Sequence, residues 1–290
     1  MPTDMTGKVC LVTGANQGIG KETAVALARM GASVVMTSRD RAKGEAALAD
    51  VRSRSGGNIE VMPADFGSLA STRQLAADFK AKHERLDVLV NNAGAIVTTR
   101  SETADGFETT FGVNHLGYFL LTNLLLDTIK AGAPARIVNV SSNAHTRREM
   151  DFQDLNTTGK YSAMKAYARS KLANVLFTYE LARRLAGTGV TANCLHPGVV
   201  RTGFGKNNAG LVRVAFQAFQ IVARPWLLSP EKGAATSIYL ASSPEVEGVT
   251  GKYFVQCRET LSSAASYDEA AQRKLWEISE EMCGLKAEAL

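Results

Sequence analysis

The sequence is short of paired cysteines, of long apolar runs and of any one-signed block of charge, and each shortage closes off a class of protein. Its four cysteines, Cys10, Cys194, Cys257 and Cys283, are widely separated and form no Cys-x-x-Cys or Cys/His cluster, which excludes a zinc finger and a dithiol redox motif; no metal site is expected. No stretch of eighteen or more apolar residues occurs, so no transmembrane helix is expected, and MPTDMTGKVCLVTG enters the first strand with no apolar leader segment. The expected location is cytoplasmic. The 33 basic residues exceed the 28 acidic ones by only five and are scattered, which argues against nucleic acid as a partner. Linkers, repeats and low-complexity tracts are also missing, so residues 1–290 read as a single domain.

What is present is a regular alternation. Short β-branched runs at 8–13, 33–38, 59–63, 86–90, 136–141 and 190–195 alternate with helical stretches, and each run is apolar on successive residues. Strands of that kind are buried on both faces, which predicts an α/β fold with a parallel sheet and helices on either side.

Directly after the first run stands Thr13-Gly14-Ala15-Asn16-Gln17-Gly18-Ile19-Gly20, which opens a helix. The spacing differs from Gly-x-Gly-x-x-Gly. Glycines placed there let the chain turn sharply and approach a pyrophosphate at a helix N-terminus, where open N–H groups and the helix dipole favour negative charge. About twenty residues on, the second strand ends Thr37-Ser38-Arg39-Asp40 with no acid at the position that would hold an NAD ribose. The Arg39 fork suits the 2′-phosphate of NADP, and Ser38 could add a hydroxyl. Asp40 leaves NAD(H) open, because a one-residue shift would bring its carboxylate toward the ribose.

A tyrosine next to a cation can serve as a proton donor, and Tyr-x-x-x-Lys places the two on one helix face. The pattern is weak alone, since average usage predicts about half an occurrence by chance in a chain this long. Two are present, Tyr161 with Lys165 and Tyr167 with Lys171, expected on one helix and turned about 120° apart, so that one pair alone can serve a given site. Asn139-Val140-Ser141-Ser142 ends the fifth strand at the sheet edge where open α/β folds bind ligands. Asn114 shares a face of the apolar helix 106–126 with Phe107, Phe111, Tyr118 and Leu125, where a buried amide needs internal partners.

The glycine motif, Asn91-Asn92-Ala93-Gly94 after the fourth strand and Pro197-Gly198 after the sixth resemble the short-chain dehydrogenase/reductase family over about Lys8 to Phe254. Ser170 to Asn174 after Tyr167, the 107–126 helix, His196 to Val200 and Gly251 to Phe254 are similar to its retinol-dehydrogenase-like branch. The resemblance implies one Rossmann-type doubly wound parallel sheet with helices on both faces, commonly dimeric or tetrameric. It also implies an oxidoreductase that moves hydride between NADP(H) and a lipophilic aldehyde, ketone or alcohol. Tyr167 becomes the acid/base. Lys171 becomes the residue that lowers the tyrosine pKa and holds the nicotinamide ribose. Ser142, with Ser141 in reserve, becomes the catalytic serine, and Asn114 the support of a water relay through Lys171. Coenzyme contacts are implied for Gly14, Asn16, Gly18, Ile19, Gly20, Arg39, Asp65 and Phe66 (beside the adenine), Asn92, Ala93, Gly94, Tyr167, Lys171, Pro197, Gly198, Val200 and Thr202. Light-dependent protochlorophyllide reductases share much of the pattern but carry a cysteine shortly after the lysine, where this chain has Ala173. A catalytically silent NADP-binding sensor or scaffold is the remaining alternative, and all four of Asn114, Ser142, Tyr167 and Lys171 are present against it.

Arg213, Gln217, Gln220 and Arg224 recur at helical spacing beside Phe216, Phe219 and Val222. The amphipathic stretch Leu211 to Leu228 follows the place where the family carries its substrate-covering loop, so a lid is expected over about 203–229, with core packing, subunit contact or peripheral membrane contact as alternatives.

Overall fold

The structure, a computed structural model, describes residues 3–200 and 227–285. Thr202 and the expected lid, apart from its last three residues, lie outside the described residues. Among the described residues the strands are β1 (Val9–Val12), β2 (Ser33–Ser38), β3 (Ile59–Pro63), β4 (Val88–Asn91), β5 (Ala135–Val140), β6 (Val190–His196), β7 (Tyr253–Val255) and β8 (Arg258–Glu259). They form one sheet in the order β3-β2-β1-β4-β5-β6-β7-β8. Every pairing is parallel except the last, between β7 and β8.

The continuous apolar runs have a simple cause. Successive side chains of a strand point to opposite faces, and both faces are cores. Leu11, Leu89 and Ile137 pack on one side with Phe79, Phe119, Phe177 and Trp276. Their neighbours Cys10, Val12, Val88, Val90 and Val138 pack on the other with Val25, Leu27, Val51 and Leu240. The helices divide accordingly. On the second face lie α1 (Gly18–Arg29), α2 (Arg41–Ser55) and α8 (Pro230–Ser242); on the first lie α3 (Leu69–Lys82), α5 (Gly117–Leu124), α7 (Ala163–Arg184) and α9 (Glu269–Cys283). Side-chain caps fix most starts: Asp40 for α2, Ser68 for α3, Ser229 followed by Pro230 for α8, and Asp268 for α9.

The apolar segment expected as one helix over 106–126 is broken. It runs as a single turn α4 (Thr109–Phe111), a π-turn (Gly112–Leu116) and α5, with α6 (Leu126–Ala131) following. The π-turn bears Asn114 and His115, both fully buried. His115 lies among Phe111, Phe119 and Phe177, its Nε2 2.8 Å from Ser279 Oγ of α9. Burial pulls its pKa down from 6.5 to about 3. Because the folded-state value is depressed, the unfolded chain takes up a proton first, and stability is lost as pH falls from about 6.5 toward 3, at about 1.4 kcal/mol per pH unit. Denaturant midpoints at pH 7, 5 and 4 are expected to fall less steeply for His115→Gln than for the parent chain. Equal slopes would place the acid sensitivity elsewhere.

Candidate active site

The sheet order reverses between β1 and β4, and at such a switch point the connections leave in opposite directions and open a crevice at the carboxyl ends of the strands. Both flanking strands end there in the segments singled out by sequence. Gly14 has φ +63°, and a Cβ on it would stand 2.8 Å from Ala93 Cα. A Cβ on Gly20 would stand 2.4 Å from Asn92 Nδ2. The two segments are laced together through Thr13, whose hydroxyl accepts from the N–H groups of Asn92 (2.8 Å) and Ala93 (3.0 Å), while Asn92 Nδ2 donates to the Thr13 carbonyl at 2.8 Å. Asn92 therefore spends its amide on the glycine turn. The helix behind that turn begins open: Gln17, at the N-cap of α1, makes no side-chain cap, and the first turn holds no acid. Asn16, Gly18 and Ile19 are half-buried around it, and Gly94 is exposed. A dinucleotide pyrophosphate fits this arrangement, because uncapped N–H groups at the positive end of a helix dipole lack an anionic partner.

Around this turn the other expected contacts fall differently. Asp65 accepts from the Gly67 N–H at 2.9 Å, bending the chain after β3. Phe66 is only 6% exposed, and a Cβ on Gly117 would stand 3.0 Å from its ring, so its side chain is packed in the core. Val200 and Ile19 meet over Gly233 of α8, which carries the Pro197–Val200 segment against the glycine turn. Gly198 has φ +85°, and a Cβ there would stand 2.5 Å from Leu228.

The catalytic candidates converge from three elements. Tyr167 and Lys171 lie on α7, Ser142 at the end of β5, and Asn114 in the π-turn. Ser142 lies near enough to the Tyr167 hydroxyl to influence its pKa. Lys171 Nζ donates to the Val140 carbonyl at 3.0 Å and sits 5.7 Å from the Tyr167 ring centre. Ser141, the reserve, turns away: its hydroxyl donates to the Lys171 carbonyl at 2.7 Å and is buried. Asn114 Oδ1 accepts from the Ala95 N–H (2.7 Å), and its Nδ2 donates to the Ala95 carbonyl (2.9 Å) and to Ser170 Oγ (3.0 Å). Both amide protons are used, which leaves one lone pair on Oδ1 for a relay water. Tyr161 departs from its expected place. It precedes the N-cap Ser162 and is not on α7, and its hydroxyl bonds the Val97 carbonyl (2.7 Å) and Glu108 Oε1 (3.2 Å). Lys165 is exposed.

The model of the short chain dehydrogenase family matches residues 8–210. The chain belongs to the short-chain dehydrogenase family. Retinol dehydrogenase 14 of Mus musculus is 48% identical over 98% of this chain and 88% of its own length, and retinol dehydrogenase 13 of Homo sapiens 48% over 97% and 86%. Among solved structures, an uncharacterized protein from Mycobacterium paratuberculosis is 34% identical with a TM-score of 0.79, covering 99% of this chain and 97% of that one. Pseudomonas aeruginosa RhlG, in its NADP active-site complex, is 28% identical with a TM-score of 0.70, covering 88% and 96%. This short-chain dehydrogenase is an oxidoreductase of the retinol-dehydrogenase-like branch.

The electrostatics of the dehydrogenase site are set by burial. It pushes the Tyr167 phenol up to about 12, with Ser142 opposing, and pulls the Lys171 amine down to about 7. Removal of water around the hydroxyl is the largest influence on Tyr167, and burial likewise disfavours the ammonium form of Lys171. Three supporting side chains escaped the sequence reading. Ser170 takes the Asn114 amide and donates to the Tyr167 carbonyl at 2.8 Å. Asn174 donates to the same Val140 carbonyl as Lys171, at 3.3 Å. Thr37 Oγ1 accepts from the Gly14 N–H at 3.0 Å. Ser170 and Asn174 stand beside Tyr167 and Lys171 in sequence, but hydroxyls and amides on a helix have no periodic signal that marks them as partners.

Proposed function

We propose that this dehydrogenase moves hydride between NADP(H) and a lipophilic aldehyde, ketone or alcohol. The observation that carries the reading is the meeting of Tyr167, Ser142 and Lys171 at the carboxyl edge of the sheet, with Lys171 Nζ 5.7 Å from the Tyr167 ring centre and Ser142 near enough to oppose the rise of the phenol pKa. The coenzyme supplies or accepts the hydride. Tyr167 gives its proton to the substrate oxygen as that oxygen gains charge, and Ser142 holds the same oxygen. Lys171 has donors beyond the one spent on Val140 to hold the nicotinamide ribose, and Asn114 accepts from a water that returns the proton. The lipophilic substrate is taken from the names of the retinol dehydrogenases it resembles. The reading includes a single domain and a cytoplasmic location, as expected from the sequence composition, and a covering segment over about 203–229 and a homo-oligomer, as the resemblance implies. No helix of the described residues is long and apolar enough to cross a membrane.

Turnover of NADPH and NADP with medium-chain, aromatic and isoprenoid aldehydes and alcohols tests this. No turnover with any of them would favour the silent binding protein. The pH dependence is a second expectation. Tyr167 must be protonated to act as an acid, and with a pKa near 12 it is so throughout the neutral range, so the phenol should impose no fall on carbonyl reduction between about pH 6 and 9, and a change near pH 7 would belong to the Lys171 amine. Alcohol oxidation needs the phenolate and should climb with pH over the same interval. Reduction that falls with a midpoint between about pH 8 and 9 would contradict the buried, neutral phenol.

A further inference from the structure

Behind Ser142 stands a histidine that the catalytic scheme leaves unused. His145 is fully buried in the 3-10 turn Asn143–Arg147 after β5, its ring centre 4.8 Å from that of Tyr253 on β7. Its ring nitrogens have different partners: Nε2 is 3.0 Å from the Ser263 backbone nitrogen, and Nδ1 is 2.8 Å from the Ser142 carbonyl oxygen. A backbone N–H can only donate, so Nε2 carries a lone pair. The neutral ring then carries its proton on Nδ1 and donates it to the Ser142 carbonyl. That carbonyl also accepts from the His145 backbone N–H at 3.1 Å. Ser142 is thus held at both ends, its carbonyl by His145 and its hydroxyl by the Ala144 N–H (3.2 Å), beside Tyr167.

We propose that His145 is a positioning residue: it pins the backbone of Ser142 and ties it to the segment around Ser263, so that the serine hydroxyl stays aimed at the substrate oxygen. The inference rests on the reading of Ser142 as the catalytic serine. The segment it reaches is itself anchored to α7, the helix that bears Tyr167 and Lys171. Ser262 Oγ bonds the Tyr179 hydroxyl and Ser266 Oγ, each at 2.6 Å, and Tyr267 stacks on Tyr179 with ring centres 5.5 Å apart. Ser142, which lies beside Tyr167 of α7, is therefore also tied to that helix through His145, the Ser262–Ser263 segment and Tyr179. A reacting constellation needs such support, because a misplacement of about 1 Å costs up to a hundredfold in rate.

The test compares kcat and KM for His145→Phe, His145→Asn, His145→Gln, Ser142→Ala and the Ser142→Ala/His145→Phe pair. Phenylalanine keeps a ring against Tyr253 but loses both hydrogen bonds, and kcat should fall about tenfold or more with the KM for coenzyme unchanged. Asparagine places an N–H where Nδ1 stands and should recover most of the loss. Glutamine keeps an acceptor for Ser263 and no donor for Ser142, and should be as slow as phenylalanine, which supplies a second reading if the phenylalanine variant does not fold. Since His145 acts through Ser142, the double variant should be no slower than Ser142→Ala alone. Additive losses, or asparagine as slow as phenylalanine, would overturn the proposal. A slow Ser142→Ala beside a fast His145→Phe would overturn it alone, whereas a Ser142→Ala of undiminished kcat would overturn the assignment of the serine and the proposal with it.

Discussion

Tyr167→Phe is expected to lower kcat by about a hundredfold or more, while Tyr161→Phe retains most of the activity. The first figure is the usual scale of a lost general acid. Tyr167 stands beside Ser142 and keeps part of its surface open, as a residue that meets a substrate must. The Tyr161 hydroxyl is committed to the Val97 carbonyl and Glu108, so its loss should appear as stability, about 1 to 2 kcal/mol from acceptors left without a partner. Steady-state kinetics and melting temperatures on both variants separate the effects. An indispensable Tyr161 beside a dispensable Tyr167 would move the chemistry to the wrong side of the Ser162 cap and overturn the assignment.

Arg39→Ala is expected to weaken NADPH about ten- to a hundredfold and to leave NADH nearly unchanged, the scale of roughly 1.5 to 3 kcal/mol for a hydrogen bond to a charged group. The local geometry sharpens this. The strand ends at Ser38 as its pattern implied, and Asp40 is occupied as the cap of α2, accepting from the Lys43 N–H at 3.0 Å and pairing with Lys43 Nζ at 3.1 Å. Those bonds hold its carboxyl below the usual range and away from a ribose diol. Ser38, counted earlier as a helper, is buried and donates its proton to the Asp40 carbonyl at 2.8 Å, so it has none for a phosphate. Arg39 is exposed, with no ion pair to a described residue. Dissociation constants for both coenzymes on both proteins decide it. A preference of the parent chain for NADH, or equal weakening of the two, would remove Arg39 from the choice.

The sheet was legible because burial on both faces gives six strands several consecutive apolar residues, in regular alternation with helical stretches. β7 and β8 were not: three residues and two residues are too short for periodicity, and β7 finds its place against β6 and β8 against β7. α9 went unread although Leu275, Trp276, Ser279 and Cys283 recur at helical spacing on its buried face. The π-turn was hidden for the opposite reason, since the apolar pattern runs through it and only the hydrogen bonding shifts. In the site, glycines and the Tyr-x-x-x-Lys pairs are visible because chemistry demands those residue types at fixed spacing. Thr13, Ser170, Asn174 and His145 act through contacts between segments far apart in the chain, and no local pattern announces them.

The open start of α1 reaches beyond catalysis. At α2, α3, α8 and α9 a side chain of the protein satisfies the first turn, whereas α1, like α7, starts without one. A bound pyrophosphate would act as the missing cap, and a ligand that binds only the folded chain at a hundred times its Kd adds about 2.7 kcal/mol to stability. The unfolded fraction then drops about a hundredfold, and with it exposure to proteases that cleave the opened chain. The steady-state abundance of such a protein is tied to the supply of its coenzyme: when the pool is depleted, copies are lost as well as turnovers.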